Sequence, residues 1–215
     1  MKIAVFCPGR LQSQRLPNKL ILPIGSTSLW EIAMKKLSKL PKKYITIALC
    51  SEPALIKIAQ DHGIKVIKRD PATDQAEGPL KFIFKDLEKV KCTHMMFLNP
   101  CLLFLTEKTI IKSLEKFEKE KMDYATSVKP LQNWLFDRKG MSFIPINYER
   151  LTTKEIEPIF QCAHCFHIFN KEKFFDDGLM LTSGHGLIEI PCDETIDVDT
   201  KMEYDFARWL YANRV

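Results

Sequence analysis

Three cations follow the first apolar segment of the chain in close succession: Arg10, Arg15 and Lys19. Gly9 and Ser13 belong to the same loop and leave room for contacts from backbone amides or a hydroxyl. A guanidinium can hold phosphate oxygens through two hydrogen bonds, and an ammonium acts as a point charge. The loop therefore predicts a polyphosphate site. A solvated basic turn is the alternative that the residues leave open.

Two carboxylates near the end of the chain form a second candidate site. Asp197 and Asp199 are two residues apart on a stretch that we expect to be extended, so their side chains share one face. Both can then reach one hard cation, and Mg²⁺ suits carboxylate ligands. The alternative makes Asp199 the N-cap of the following helix and leaves Asp197 solvated.

Apolar strands alternate with amphipathic helices along most of the chain, and this order positions both candidate sites. We predict strands at Lys2–Cys7, Tyr44–Cys50, Ile64–Ile67, His94–Leu98, Tyr124–Val128 and Phe160–Phe169. We predict helices over Leu29 to Leu40 and at Pro53–His62, Pro79–Val90, Glu107–Lys119 and Met202–Asn213. The alternation predicts an α/β fold with a mainly parallel sheet covered on both faces. Ligands of such sheets bind beyond the carboxyl ends of the strands, where the basic loop falls.

The length of 215 residues fits one domain with a proper core. Residues 131–158 interrupt the alternation of strands and helices, because they hold an Arg-Lys-Gly turn and few helix signals. We expect a small β excursion there that carries the contact of a homodimer.

Charge and composition exclude several classes of protein. A net charge of +5 without a basic stripe favours an anionic small ligand over nucleic acid. The chain opens on a strand pattern rather than a signal peptide, and no apolar run reaches the roughly 18 residues of a membrane span. We expect a cytoplasmic protein with no membrane partner. Its seven cysteines are odd in number and lie in apolar segments, which predicts reduced thiols.

The basic loop lacks both GxGxxG and GxxxxGK[ST], the two standard phosphate-binding fingerprints. It resembles instead the opening signature P-A-R-x-G-S-x-R-x-P-x-K of the sugar-activating cytidylyltransferases, which include the CMP-sialate and CMP-Kdo synthetases. The matching residues are Pro8, Arg10, Ser13, Arg15, Pro17 and Lys19. The resemblance implies a Rossmann-like nucleotidyltransferase fold.

Further segments are similar to this family in the same order along the chain. The stretch ending at Arg69, before the Asp74 region, resembles a strand that leads toward the base. The segment 98–106 resembles L-Q-P-T-S-P-L, which makes Asn99 the candidate for reading the nucleotide. Residues 196–207 are similar to I-D-I-D-T-x-x-D-x-x-x-A.

The resemblance implies transfer of CMP from CTP to an acidic, ulosonic or sialic-acid-like sugar, with release of pyrophosphate and Mg²⁺ as cofactor. It implies catalytic roles for Lys19, Arg10 and Asp199, with Asp197 and Asp199 on the metal. The implied nucleotide-binding residues are Pro8, Gly9, Arg10, Ser13, Arg15, Asn18, Lys19, Arg69 and Asn99.

Two departures from the family pattern leave other functions open. Leu11 and Gln12 replace family glycines after the first arginine, and this predicts a different loop path, because only glycine adopts a positive φ at little cost. Cys101, Leu102 and Leu103 replace Thr-Ser-Pro. The alternatives are a nucleotidyltransferase for another base or for a sugar phosphate, and a catalytically idle nucleotide-binding relative.

The stretch Cys162–His167 holds two cysteines and two histidines, which invites a zinc site. A structural zinc site needs about four ligands, and alternation on a strand points Cys162 and Cys165 to opposite faces. We favour instead a core strand whose polar face, with His164, borders the sugar pocket.

Overall fold

A computed structural model describes residues 1–73, 78–144, 146, 149, 152–154 and 156–213. Its strands are β1 Ile3–Pro8, β2 Pro23–Ile24, β3 Thr27–Ser28, β4 Ile45–Cys50, β5 Lys65–Lys68, β6 His94–Leu98, β7 Tyr124–Leu131, β8 Ile159–Asn170 and β9 Gly186–Glu189. Its α-helices are α1 Leu29–Ser38, α2 Pro53–Asp61, α3 Leu80–Ile83, α4 Glu107–Lys119, α5 Lys171–Asp177 and α6 Lys201–Asn213.

Seven strands form the central sheet, in the order β5-β4-β1-β6-β8-β7-β9. Strands β5, β4, β1 and β6 pair in parallel, as do β7 and β9. Strand β8 pairs antiparallel with both β6 and β7. The predicted mainly parallel α/β sheet is therefore confirmed, with one reversed strand inserted between parallel neighbours.

The sheet buries apolar side chains on both faces, and β1 shows why. Ile3, Val5 and Cys7 belong to one core cluster, whereas Ala4 and Phe6 belong to the other. Because successive side chains of a strand point to opposite faces, a fully apolar strand needs cover on both sides. Helices α1, α2, α4 and α6 contribute to the first cluster and α5 to the second.

The predicted helix Pro79–Val90 is wrong as a single element. Helix α3 ends at Ile83, and a 3₁₀ turn follows at Lys85–Leu87. Phe84 leaves the helical conformation between them and is buried, with its ring 5.1 Å from that of Phe6. Tertiary packing of this aromatic ring overrides the local helical pattern.

Several short elements were not predicted: the β2–β3 hairpin, α5 and β9. In the segment 131–158, the described residues include an antiparallel bridge between Phe136 and Ser142 around the expected turn, with Gly140 at φ 80°. Its role in a dimer stays a prediction. Within the described part of the chain, no helix is long and apolar enough to cross a membrane.

Candidate active site

One cleft gathers the residues singled out in the sequence. Two adjoining cavities of about 450 and 710 Å³ lie along it, a size that holds a small-molecule ligand. Ten of the eleven predicted site residues line these cavities: Pro8, Gly9, Arg10, Ser13, Arg15, Lys19, Arg69, Asn99, Asp197 and Asp199. Asn18 is exposed and lies outside the lining.

The basic loop and the last acidic segment meet directly. Lys19 Nζ donates to Asp199 Oδ1 at 2.5 Å and to the carbonyl of Val198 at 3.1 Å. Arg15 Nη2 lies 2.8 Å from Asp199 Oδ2. Burial lowers the pKa of Lys19, but Cys101 and the hydrogen bond to Asp199 outweigh it and raise that pKa overall. We call Arg10, Arg15, Lys19, Asp197 and Asp199 the charged side of the cleft.

Asp197 is the least satisfied group of the charged side. Its Oδ2 accepts a 3.2 Å hydrogen bond from Asn99 Nδ2, whereas Oδ1 is buried with no hydrogen-bond partner among the described residues. Burial, and then the neighbouring Asp199, raise the pKa of Asp197. A buried carboxylate oxygen without a donor is costly unless a cation occupies the position.

A divalent cation fits these carboxylates. Ligand atoms of Cys101, Asp197 and Asp199 lie within 4.8 Å of one another. Burial raises the pKa of the Cys101 thiol to about 12. Hard cations prefer oxygen to sulfur ligands, so Asp197 and Asp199 are the ligands expected for such an ion. Oxygen ligands of this kind are those that Mg²⁺ prefers.

The alternative role of Asp199 as a helix N-cap is wrong, because Thr200 and Glu203 fill it. The backbone N–H of Glu203 donates to Thr200 Oγ1 at 3.3 Å, and the Glu203 carboxylate accepts from the N–H groups of Asp199 and Thr200. This reciprocal arrangement is a capping box, and its T-x-x-E pattern stands in the sequence. Asp199 is therefore left to contact the basic loop.

The path of the basic loop does not depend on glycine at positions 11 and 12. Neither Leu11 nor Gln12 has a positive φ, whereas Asn18 adopts the left-handed conformation at φ 58°. The N–H groups of Ser13 and Asn18 both donate to the carbonyl of Leu11 at 2.9 Å. Glu52, which the sequence did not single out, accepts from the N–H of Leu11 at 2.7 Å. The replaced residues are thus accommodated without backbone strain.

Two predicted nucleotide-binding residues make structural contacts as well. A Cβ atom on Gly9 would lie 2.7 Å from the ring of Trp30, so only glycine fits this strand end. The guanidinium of Arg69 is buried and donates to the carbonyl and, at 3.1 Å, to the hydroxyl of Thr73. Asp74, which follows, lies outside the described residues.

Asn99 holds three segments together at the end of β6. Its Oδ1 accepts from the N–H of Cys101 at 2.9 Å, and its Nδ2 donates to the carbonyl of His164 and to Asp197. This amide therefore positions Asp197 in the cleft.

Most of the replaced segment 101–103 packs into the protein rather than into the cleft. Leu102 and Leu103 are buried, and Leu102 bridges Asp197 in an antiparallel pair. Their carbonyls accept hydrogen bonds of 2.7 and 3.0 Å from Lys36, a partly buried lysine that the sequence did not reveal. Burial lowers the pKa of Lys36 to about 8. Of the three replaced residues, only Cys101 lines the cleft.

The far end of the cleft is mostly apolar and was not predicted as a unit. It is lined by Leu80, Phe84, Phe97, His164, His167, Gly178, Leu179, Met180 and Leu181. We call this set the apolar side. As expected, His164 borders the pocket on β8.

A family model described as cytidylyltransferase matches residues 4–134, more than half of the chain. The match includes the basic loop and Asn99. No curated protein sequence matches the chain.

Solved structures share the fold over nearly the whole chain. A CMP:2-keto-3-deoxy-manno-octonic acid synthetase complexed with CTP superposes with a TM-score of 0.74 at 15% identity, covering 100% of both chains. A cytidylyltransferase from Leptospira borgpetersenii serovar Hardjo-bovis (strain JB197) has a TM-score of 0.61 at 15% identity, covering 97% of this chain and 85% of that one. A 4-diphosphocytidyl-2C-methyl-D-erythritol synthase from Anaerococcus prevotii DSM 20548 has a TM-score of 0.65 at 11% identity, covering 98% of each.

Proposed function

Since the chain belongs to the cytidylyltransferase family, we propose that it transfers CMP from CTP to an acidic sugar and releases pyrophosphate. The observation that carries this proposal is the meeting of the basic loop with Asp197 and Asp199 in one cleft. The family supplies the reaction class, and the charged side supplies groups suited to a triphosphate and a cation.

The basic loop is suited to hold the triphosphate. Arg10, Arg15 and Lys19 line one cavity together with Pro8 and Gly9. Charge-assisted contacts from guanidinium and ammonium groups to phosphate are short and strong. Lys19 and Arg15 hold Asp199 before nucleotide binds, and we expect the incoming phosphates to compete for both cations.

Mg²⁺ is the cofactor that we propose for Asp197 and Asp199. When bound, the ion would neutralise charge on the triphosphate. In the proposed transfer, a sugar hydroxyl oxygen bonds to the α-phosphorus as the bond to the pyrophosphate oxygen breaks, and the hydroxyl proton is released. The protein's part is to present two carboxylates on one extended segment, with Asn99 fixing Asp197. The unpartnered Oδ1 of Asp197 supports this assignment.

The apolar side is where we place the acceptor sugar. The CTP-complexed neighbour is a synthetase for the CMP derivative of an octonic keto acid, which supports an acidic sugar as acceptor. Arg15 and His164, which line the same cavity, offer donors to a carboxylate. Leu179 to Leu181 provide a surface for the carbon skeleton.

Release of pyrophosphate tests the proposal. The protein is incubated with Mg²⁺, one of the four nucleoside triphosphates and a panel of ulosonic acids and sugar phosphates. We expect release only with CTP and a ulosonic acid, and none when Mg²⁺ is chelated.

Other outcomes separate the rival functions. Release with another triphosphate, or with a sugar phosphate as acceptor, would replace the proposed substrates while keeping nucleotidyl transfer. Binding of CTP without release from any acceptor would favour an idle nucleotide-binding relative.

A further inference from the structure

An irregularity in β8 brings three potential metal ligands together beside the cleft. Thr126 of β7 pairs with His167 of β8, and Val128 pairs with Cys162. Between these two pairs, β7 advances by two residues, whereas β8 spans five. In a regular strand His167 would point away from Cys162 and His164, because side chains alternate between faces. The bulge instead places the ligand atoms of all three within 4.8 Å of one another.

The bulge is held in place by hydrogen bonds from both neighbouring strands. Ser127, on β7, accepts from the N–H groups of Cys165 and Phe166 at 2.9 and 3.1 Å. Asn99, after β6, donates to the carbonyl of His164 at 3.1 Å. His164 adopts the left-handed conformation at φ 53°, an uncommon state for a residue other than glycine that is often found at functional sites.

The spacing of the donors matches a tetrahedral metal centre. Cys162 Sγ lies 3.6 Å from His164 Nδ1. Bond lengths of about 2.3 Å for Zn–S and 2.0–2.1 Å for Zn–N give a sulfur-to-nitrogen distance of about 3.5 Å in a tetrahedron. The rings of His164 and His167 are 6.3 Å apart and nearly perpendicular, at 78°. Both imidazoles therefore have room to bind one ion.

The surroundings of His167 also suit a ligand. Its Nδ1 lies 2.8 Å from the hydroxyl of Thr126, and imidazole ligands of metals usually make such a bond through their second nitrogen. The same hydroxyl lies 3.7 Å from Cys162 Sγ.

We propose that Cys162, His164 and His167 form a binding site for a borderline transition-metal ion such as Zn²⁺. The described residues supply three ligands, and three protein ligands with one open position are typical of zinc sites that bind water or substrate. His164 and His167 line the cleft, so the open position is accessible to an oxygen of a bound molecule. Cys165, the second cysteine of the CxxC pattern, is buried in the core and is not a ligand.

This site differs in chemistry from the pair of carboxylates. Nitrogen and sulfur ligands select Zn²⁺ or Co²⁺, whereas the carboxylates of Asp197 and Asp199 select hard cations. Metal binding at β8 does not depend on the transfer of CMP, and the two claims can fail separately.

Titration of the chelator-treated protein with Co²⁺ tests the proposal. We expect a single equivalent to produce a near-ultraviolet thiolate-to-Co²⁺ band and the intense visible bands of a tetrahedral site, both lost on addition of Zn²⁺. Excess Mg²⁺ should not displace the Co²⁺. Cys162→Ser should remove the thiolate band, and Thr126→Val should weaken binding about 10–100-fold, as expected for a partner of a ligand.

Matched variants assign the band to this site. Cys192→Ser changes an exposed cysteine outside the cleft lining and should leave the band intact. His164→Asn keeps a residue that tolerates the left-handed conformation and should weaken binding at least tenfold, with an unchanged far-ultraviolet spectrum. Absence of the thiolate band in the wild type, its survival in Cys162→Ser, or its loss in Cys101→Ser would overturn the proposal.

Discussion

The two sides of the cleft are built in opposite ways. The charged side comes from one loop after β1 and one short segment before α6. Arg15 and Lys19 of the loop form ion pairs with Asp199 of the segment. The apolar side is assembled from the region of α3, the bulged β8 and the turn after α5. Among the described residues, Oδ1 of Asp197 on the charged side has no hydrogen-bond partner, whereas the apolar side offers a mainly hydrophobic surface with two histidines. Ligand binding should therefore relieve an electrostatic cost on one side and bury surface on the other.

The largest effect on the rate of pyrophosphate release should follow from removing the carboxylate charge of Asp197. Asp197→Asn keeps the shape of the side chain but removes a proposed metal ligand. We expect the rate of pyrophosphate release to fall by about two to three orders of magnitude, because a catalytic metal contributes several kcal/mol and ~1.4 kcal/mol is tenfold.

Asp123→Asn is the matched control for this variant. Asp123 pairs with Lys173 at 2.7 Å and lies outside the cleft lining. Its variant should keep the wild-type rate. A near-native rate in Asp197→Asn would remove Asp197 from the metal site.

The basic loop should show the next largest effect. Lys19→Ala removes an ammonium that we expect to contact phosphate, and such a charge-assisted bond contributes about 1.5–3 kcal/mol. The Kd for CTP with Mg²⁺ should therefore rise at least about tenfold. Arg10→Lys should also weaken binding, since an ammonium cannot replace a two-bond guanidinium contact.

Lys57→Ala serves as the control, because Lys57 is exposed and pairs with Asp61 on α2. Equal affinities of Lys19→Ala and Lys57→Ala for CTP would show that the basic loop is only a solvated turn.

Truncation on the apolar side should have a smaller and more selective effect. Leu179→Ala removes part of the surface proposed for the acceptor, and partial loss of methylene burial is worth about 0.7–1.4 kcal/mol. We expect the KM for the acceptor to rise about three- to tenfold while the Kd for CTP stays unchanged. Leu187→Ala, at a similarly exposed leucine on β9, should change neither constant. A change in CTP affinity in Leu179→Ala would contradict the assignment of CTP to the charged side and of the acceptor to the apolar side.

The smallest effect concerns stability. Because the pKa of Asp197 is raised in the folded state, its ionisation favours unfolding as pH rises through that pKa. Asp197→Asn should match the wild type in acid and be more stable at neutral pH. We expect about 1 kcal/mol, the low end of the cost of an unsatisfied buried group. That is about 2–4 °C in Tm for a chain of this size.

Thermal unfolding of both proteins as a function of pH measures this difference. Added Mg²⁺ should raise the Tm of the wild type and not that of the variant. A Tm difference that does not change with pH would contradict the assigned ionisation.

The fold and the charged side could be predicted because their signals are local. Ile3 to Cys7 form an unbroken apolar run, and Arg10, Arg15 and Lys19 stand close together in the sequence. The carboxyl ends of parallel strands lie at one edge of a sheet, and ligands bind there. The position of the basic loop in the cleft could therefore be predicted. The T-x-x-E pattern at Thr200 was also local and could have assigned the helix cap.

The apolar side could not be predicted, because tertiary contacts create it. Phe84 breaks a helical pattern and packs on Phe6, and both Phe84 and Leu80 line the cleft. The bulge that turns His167 toward His164 depends on Ser127, which is distant in sequence. Neither event leaves a periodic signal in the residues that it moves.

Calorimetric titration of nucleoside triphosphates into the wild-type protein with Mg²⁺ tests the central claim most directly. It asks whether the charged side binds a triphosphate, and it needs no knowledge of the acceptor. We expect CTP to bind with a single site per chain and the other three triphosphates to bind at least about tenfold more weakly, a difference of ~1.4 kcal/mol. Absence of binding by all four would contradict the proposed function.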